Sequence, residues 1–272
     1  MHCHSTASDG EYEPGEVARR ACAAGLAAIA LTDHDTTAGV PAAAEEGARL
    51  GLRVVCGCEF SVKAPWGEMH VLGYFLEPGH PRLIEFLART REARRQRGER
   101  MVEKLRAMGV GITSEDLARE AGDGAVGRPH VARALVRGGV TADLNEAFSR
   151  FLGRGKAAYV EKPLPKLAEV TALAHGVGGV AVAAHLSEHG TPGQIRQFKA
   201  DGLDGLEVRH PSHSAATEAR LSRIAEELGL AVSGGSDWHG DTELGNNHAP
   251  LGGLAVPVEW LDTLERRRET KA

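Results

Sequence analysis

An α/β protein, built on a parallel sheet or barrel that is interrupted by a helical segment, is predicted by three observations. Strand and helix signals alternate over the first third of the 272-residue chain, stop near Pro81, and resume near Pro165. EPGEVARRACAAG reads as a helix, with Pro14 suited to a first helical position and Gly25 to a stop. AAIALT is then a buried strand, TTAGVPAAAEEGARLG a second helical stretch, and LRVVCGCE and EMHVLGYFL are strands. A long polar helix, PRLIEFLARTREARRQRGERMVEKLRAMG, runs to Gly109, and further helices follow in TSEDLAREAG, RPHVARALVRGG and ADLNEAFSRFLG. The alternation then returns as a helix, the strand VAVAAH, a helix, the strand LDGLEVRH, a helix and the strand LAVSGG. The expected organisation is an α/β part over residues 1–76 and 164–272, with a helical insert over 77–163.

Composition fits a packed soluble core: 42% of residues are hydrophobic and 25% charged. The formal net charge of −5 excludes a global basic field for nucleic acid, leaving small phosphorylated substrates or short oligonucleotides as partners through local sites. The arginines of RTREARRQRGERMVEKLR read first as a solvated face with Glu partners at helical spacing. The other reading is a basic wall for an oligonucleotide. Cys3, Cys22, Cys56 and Cys58 form no CxxC pair and read as reduced, mostly buried thiols. No apolar run approaches a membrane span, so a cytoplasmic protein without membrane or obligate protein partners is expected.

The chemistry concentrates in short polar motifs at strand ends. In MHCHSTASDG, His2 and His4 are two apart, so on an extended chain they project together while Cys3 faces the packing. SDWHG repeats that spacing with Asp237 and His239. His34 in LTDHD, Glu59 in GCEF and His185 in AAHL each follow a strand, and His70 lies within EMHVLGY. Ligands at the C-terminal ends of several strands are the arrangement of a barrel or sheet active site, and Asp9 can fold over the same mouth. Imidazole with carboxylate suits Zn, Mn or Fe, and the absence of cysteine pairs argues against a structural zinc. Asp33 and Asp35, flanking His34, read either as outer partners of the ligands or as ordinary loop aspartates. Arg128 and His130 in GRPH open an insert helix and could clamp a phosphate, or could be a surface arginine and a capping histidine. His210 in EVRHPSHS is a candidate phosphate binder or proton donor to a leaving oxygen.

In this order, HCHSTASDG, LTDHDT, GCEF, MHVLGY, AAHL and GGSDWH resemble the motifs of the PHP (polymerase and histidinol phosphatase) family of metal-dependent phosphoesterases. The subgroup most similar acts on nucleoside 3′,5′-bisphosphates and on the 5′ ends of short RNA, and also carries a helical insert with an RPHVARAL-like segment. The resemblance implies a distorted seven-stranded β/α barrel with the insert as a substrate cap, and two or three divalent metal ions. It implies His2, His4, Glu59 and Asp237 at the first metal, Asp9, His34 and His239 at the second, and His70 and His185 with a bridging Glu59 at the third. In many family members the position of Asp9 is a histidine, and a carboxylate there hardens the site toward Mn or Fe. Only Met1 precedes His2, where the family has several apolar residues, so the first strand is expected to be very short or the start trimmed. The implied nucleophile is hydroxide generated at the metals. Two other readings are a histidinol-phosphate phosphatase, which the GRPH insert disfavours, and a non-catalytic metal-binding regulatory domain, which the filled set of nine ligand positions disfavours.

Overall fold

The computed structural model describes residues 1–241 and 249–270. The chain divides into two compact units, one formed by Met1–Glu85 with Leu164–Ala272 and the other by Phe86–Pro163. The first unit opens with α1 (Pro14–Ala23), β1 (Ala28–Leu31), α2 (Val40–Leu50), β2 (Arg53–Ala64) and β3 (Gly67–Tyr74). After α3 (Pro81–Ala107), the second unit adds α4 (Ser114–Ala121), α5 (Arg128–Arg137), α6 (Leu144–Ala147) and a π-helical turn over Phe148–Leu152. The first unit then continues with α7 (Leu167–Gly176), β4 (Val180–Ala183), α8 (Pro192–Ala200), β5 (Gly205–Arg209), α9 (Ala215–Leu228), β6 (Ala231–Gly234) and α10 (Val258–Glu269). Local chemistry fixes several of these ends. Gly51, at φ 72°, closes α2 in the left-handed region that glycine enters without steric cost. Thr113 and Asp116 form a reciprocal cap on α4, as Thr191 and Gln194 do on α8.

Among the described residues the sheet has six strands in chain order, curled as a half-barrel. β1 and β2 are parallel, as are β4, β5 and β6. The expectation of a parallel sheet or barrel is corrected at β3, which runs antiparallel to both β2 and β4. The reason is connection length: only Pro65 and Trp66 separate β2 from β3, and so short a link closes a hairpin but cannot make a crossover. The N-terminal segment contributes a single ladder residue, Cys3, which bridges Leu31 and Trp238 in parallel. It joins the first strand to the chain just past the last.

Among the described residues, two clusters contribute to the first unit's core. Leu72, Tyr74, Val180, Val182 and Leu264 pack in one, and Cys3, Val17, Ile29, Leu31 and Trp238 in the other. In the second unit Met101, Leu105, Val131, Leu135 and Leu152 form a separate core. Burying each such side chain contributes roughly 1.5–3 kcal/mol, so each unit carries its own driving force. No helix among the described residues is long and apolar enough to cross a membrane.

Candidate metal centre

Among the described residues, eleven side chains of the first unit converge, Glu59, His70 and Glu207 from within β2, β3 and β5 and the others from segments beside the strands, so Glu59 lies inside its strand and not after it. His2 and His4 flank the Cys3 rung, and their ring centroids lie 5.3 Å apart, while Cys3 itself is buried in the core. Asp33 organises the loop that follows: its carboxylate accepts from Ser5 N–H (2.8 Å), Ser5 O–H (2.7 Å) and Ser8 O–H (2.6 Å). That loop delivers Asp9 to the cluster. Asp35 sits at φ 51° with its N–H bonded to the Glu59 carbonyl (3.0 Å), tying the segment after β1 to β2. On the far side, Asp237 (φ 49°) and His185 (φ 29°) occupy the left-handed region, uncommon for residues with side chains and frequent where a site dictates the backbone.

Four groups of donors are close enough to share an ion: His2, His4, Glu59 and Asp237; His4, Asp9, His34 and His239; His34, Glu59 and His70; and His2, Glu207 and His210. Glu59 is the hub. Its Oε1 lies 2.6 Å from His70 Nδ1 and 3.1 Å from His185 Nε2, and its Oε2 lies 3.2, 3.1 and 3.3 Å from His2 Nε2, His4 Nε2 and His34 Nδ1.

Hydrogen bonds fix which nitrogen of several rings faces inward. His2 Nδ1 donates to Glu207 Oε1 (3.0 Å), and His239 Nδ1 donates to the Asp237 carbonyl (2.9 Å). His4 Nδ1 is 3.4 Å from Ser8 Oγ, whose own proton is given to Asp33. In all three rings Nε2 points into the cluster. His4 Nε2 is buried, 3.1 Å from both Glu59 Oε2 and Asp237 Oδ1, and makes no hydrogen bond. A lone pair facing two carboxylate oxygens is repulsive until a cation turns it into coordination, so the donor set fits a hard or borderline divalent ion. Without one, protons take that place. Burial works to lower the His2 imidazole, but Asp237, Glu207 and Glu59 overcome it and hold the ring up at about 10. Burial and Glu59 oppose each other likewise at His70, which ends at about 9. Burial pushes Glu59 and Asp237 upward, and the surrounding imidazoles draw both well below the ordinary carboxylate range.

His210 differs from the ligands. Its Nδ1 accepts from Ser212 N–H (3.1 Å) and contacts Ser212 Oγ (2.8 Å), which leaves the proton of the neutral ring on Nε2. That buried Nε2 faces the cluster, 3.5 Å from Asp237 Oδ2, without a hydrogen bond. It offers a donor where the metal-facing rings offer lone pairs. His213 is set apart by its bonds to the Ser187 N–H and the Val208 carbonyl.

In the second unit, Arg128 begins α5 with its guanidinium 5.7 Å from the Phe148 ring centroid. His130 is buried and its Nδ1 accepts from Gly127 N–H (2.9 Å), which caps the helix. Glu207 is the site residue that the sequence did not single out. It stands between Leu206 and Val208 in an apolar strand, and a carboxylate on the interior face of such a strand was its only signal.

The model of the PHP domain matches residues 1–114. A 5′-3′ exoribonuclease of Haemophilus influenzae is 35% identical over 91% of this chain and 93% of its own length. The chain belongs to the PHP family of metal-dependent phosphoesterases. A second relative, a 3′,5′-nucleoside bisphosphate phosphatase of Chromobacterium violaceum, is 35% identical over 91% of this chain and 89% of its own. The crystal structure of a candidate metal-dependent phosphoesterase from Bifidobacterium adolescentis superposes with a TM-score of 0.90 at 34% identity, covering 98% of this chain and 94% of that one. The chain is thus a hydrolase of phosphate esters, with clusters of His, Asp and Glu able to hold its metals.

Proposed function

We propose that this PHP phosphoesterase removes phosphate from nucleotides, with nucleoside 3′,5′-bisphosphates as its main substrate class and the 5′ ends of short RNA as a secondary one. The nucleotide assignment is carried over from the two relatives. The observation that carries the chemistry is the buried His4 Nε2 held against two carboxylate oxygens. In this reading His2, His4, Glu59 and Asp237 hold one ion, Asp9, His34 and His239 a second, and His70 and His185 a third that shares Glu59. Such ions, whether Mn, Fe or Zn, supply an activated water and neutralise phosphate oxygens when bound.

The remaining roles belong to the chain's own groups. His210, with its proton on Nε2, donates to a phosphate or leaving oxygen. Asp33 fixes the Ser5–Ser8 turn, so that His4 and Asp9 keep their geometry. Arg128 pairs with a substrate phosphate through a charge-assisted bond, and the helical insert serves as the substrate cap. In the seven-stranded barrel that the family resemblance implies, the segment bridged at Cys3 takes the seventh place. A short substrate is favoured over a long RNA track because Arg94 and Arg97 are buried and Arg95 is paired with Glu92 and Glu99.

The test is a substrate panel with Mn²⁺: adenosine 3′,5′-bisphosphate, a mononucleotide, histidinol phosphate and a short 5′-phosphorylated RNA. Release of phosphate fastest from the bisphosphate is expected. Faster turnover of histidinol phosphate than of any nucleotide would overturn the assignment.

A further inference from the structure

Glu207 lies outside the ligand set that the family resemblance implies, yet it is fully buried in the first unit behind the His2 ring. Its two oxygens serve two different segments. Oε1 accepts the Nδ1 proton of His2 (3.0 Å), at the start of the chain. Oε2 accepts the backbone N–H of His185 (2.9 Å), in the turn after β4. Both targets need holding. His2 sits between Glu207 and Gly235, where an added Cβ would come within 2.3 Å of the His2 Cβ, so the ring has one place to go. His185 is at φ 29°, a backbone state of its own accord unfavourable, and the bond to its N–H anchors that state.

We infer that Glu207 is a positioning residue that sets two metal positions with one carboxylate. Through His2 it keeps the proton on Nδ1, so that Nε2 faces Glu59 Oε2 (3.2 Å) and Asp237 Oδ1 (3.1 Å). Through the His185 backbone it keeps that ring's Nε2 3.1 Å from Glu59 Oε1. A carboxylate behind a metal-bound imidazole fixes its tautomer and raises its basicity. Glu207 acts here as an outer partner and not as a ligand of the His2, Glu207 and His210 group, because both its oxygens are already accepting and His210 presents a proton there. The inference rests on the metal reading proposed above, and deepens it.

Glu207→Gln is the probe, since glutamine keeps the shape but has one accepting oxygen for two donors. Metal affinity is read by competition of Mn²⁺ and Zn²⁺ with a chelator, for wild type and variant, alongside thermal melts in excess chelator. The variant should lose about 10–100-fold in affinity at the ions held by His2 and His185. The ion held by Asp9, His34 and His239 should bind as in wild type, a selectivity that general damage to the fold would not produce. Equal affinities throughout would overturn the role of Glu207 while leaving the phosphoesterase reading standing. A wild-type protein that binds no metal would sink that reading instead. Should the variant not fold, long-range ¹H–¹⁵N spectra of zinc-loaded wild type decide the matter. A protonated Nδ1 on His2, hydrogen-bonded and slow to exchange, supports the inference, and a proton on Nε2 overturns it.

Discussion

Replacing Glu59 with glutamine removes one charge from the point where five imidazoles meet. The side chain keeps its size, but one oxygen becomes an amide that points protons at the ring nitrogens. Because Oε1 lies within 3.1 Å of two rings and Oε2 within 3.3 Å of three, no rotation of the glutamine spares both sets. Outer partners of metal ligands are typically worth 10–100-fold in affinity, and a carboxylate contacting two ions directly should exceed that range. The expected loss is above about 100-fold, or ~2.7 kcal/mol, with hydrolysis falling in step. Elemental analysis after dialysis gives metal content, phosphate release gives turnover, and circular dichroism checks that the variant is folded. A folded Glu59→Gln protein with full metal and full turnover would refute the bridging role.

Arg128→Ala should leave metal content unchanged and weaken turnover of a nucleoside bisphosphate roughly ten- to a hundred-fold more than that of an aryl phosphate, as fits a charge-assisted bond of about 1.5–3 kcal/mol. Equal losses on both substrates would assign it to the structure of α5. Cleavage of RNA should depend weakly on salt and gain little from length beyond a few nucleotides; a steep salt slope growing with length would point to a phosphate track. Neutralising Arg97 should instead lower the melting temperature, because its Nε is bonded to the Val160 carbonyl inside the second unit. The chelator-treated protein should be most stable between about pH 4.5 and 6.5. The raised His2 and His70, at about 10 and about 9 against an ordinary 6.5, stabilise below 6.5 and lose that contribution as pH climbs through those values. Glu207, depressed to about 2 from 4.5 with burial opposed by His2 and His210, contributes above 4.5 and loses it as pH falls. Stability of the metal-free protein rising from pH 6.5 to 10 in denaturant melts would contradict these ion pairs.

Much of the fold was written in local signals. Pro14 and Gly51 punctuate helices at the positions that proline and glycine favour, and the apolar runs of β1 and β4 are buried strands. The direction of β3 was not legible as a pattern of hydrophobicity, since a buried strand reads the same both ways; it lay in the two-residue link at Pro65 and Trp66. α10 also escaped, because Leu261 and Leu264 are too few to mark an apolar face among its many charges. Ligand candidates stood out because imidazoles are rare at strand ends. Glu207 did not, because its significance lies in what its two oxygens touch, and His210's proton is set by Ser212, a relation that spacing alone does not carry.

The rung at Cys3 has a consequence for biosynthesis. His2 and His4 leave the ribosome long before their partners Asp237 and His239. At about 5–20 residues per second, the interval between them is roughly ten to fifty seconds. During that time the N-terminal segment has neither Trp238 to pair with nor the complete donor set, whereas Phe86–Pro163 can settle around its own core. Metal capture is thereby deferred until the segment past β6 has been made, and a chain terminated before that segment carries exposed histidines but no centre.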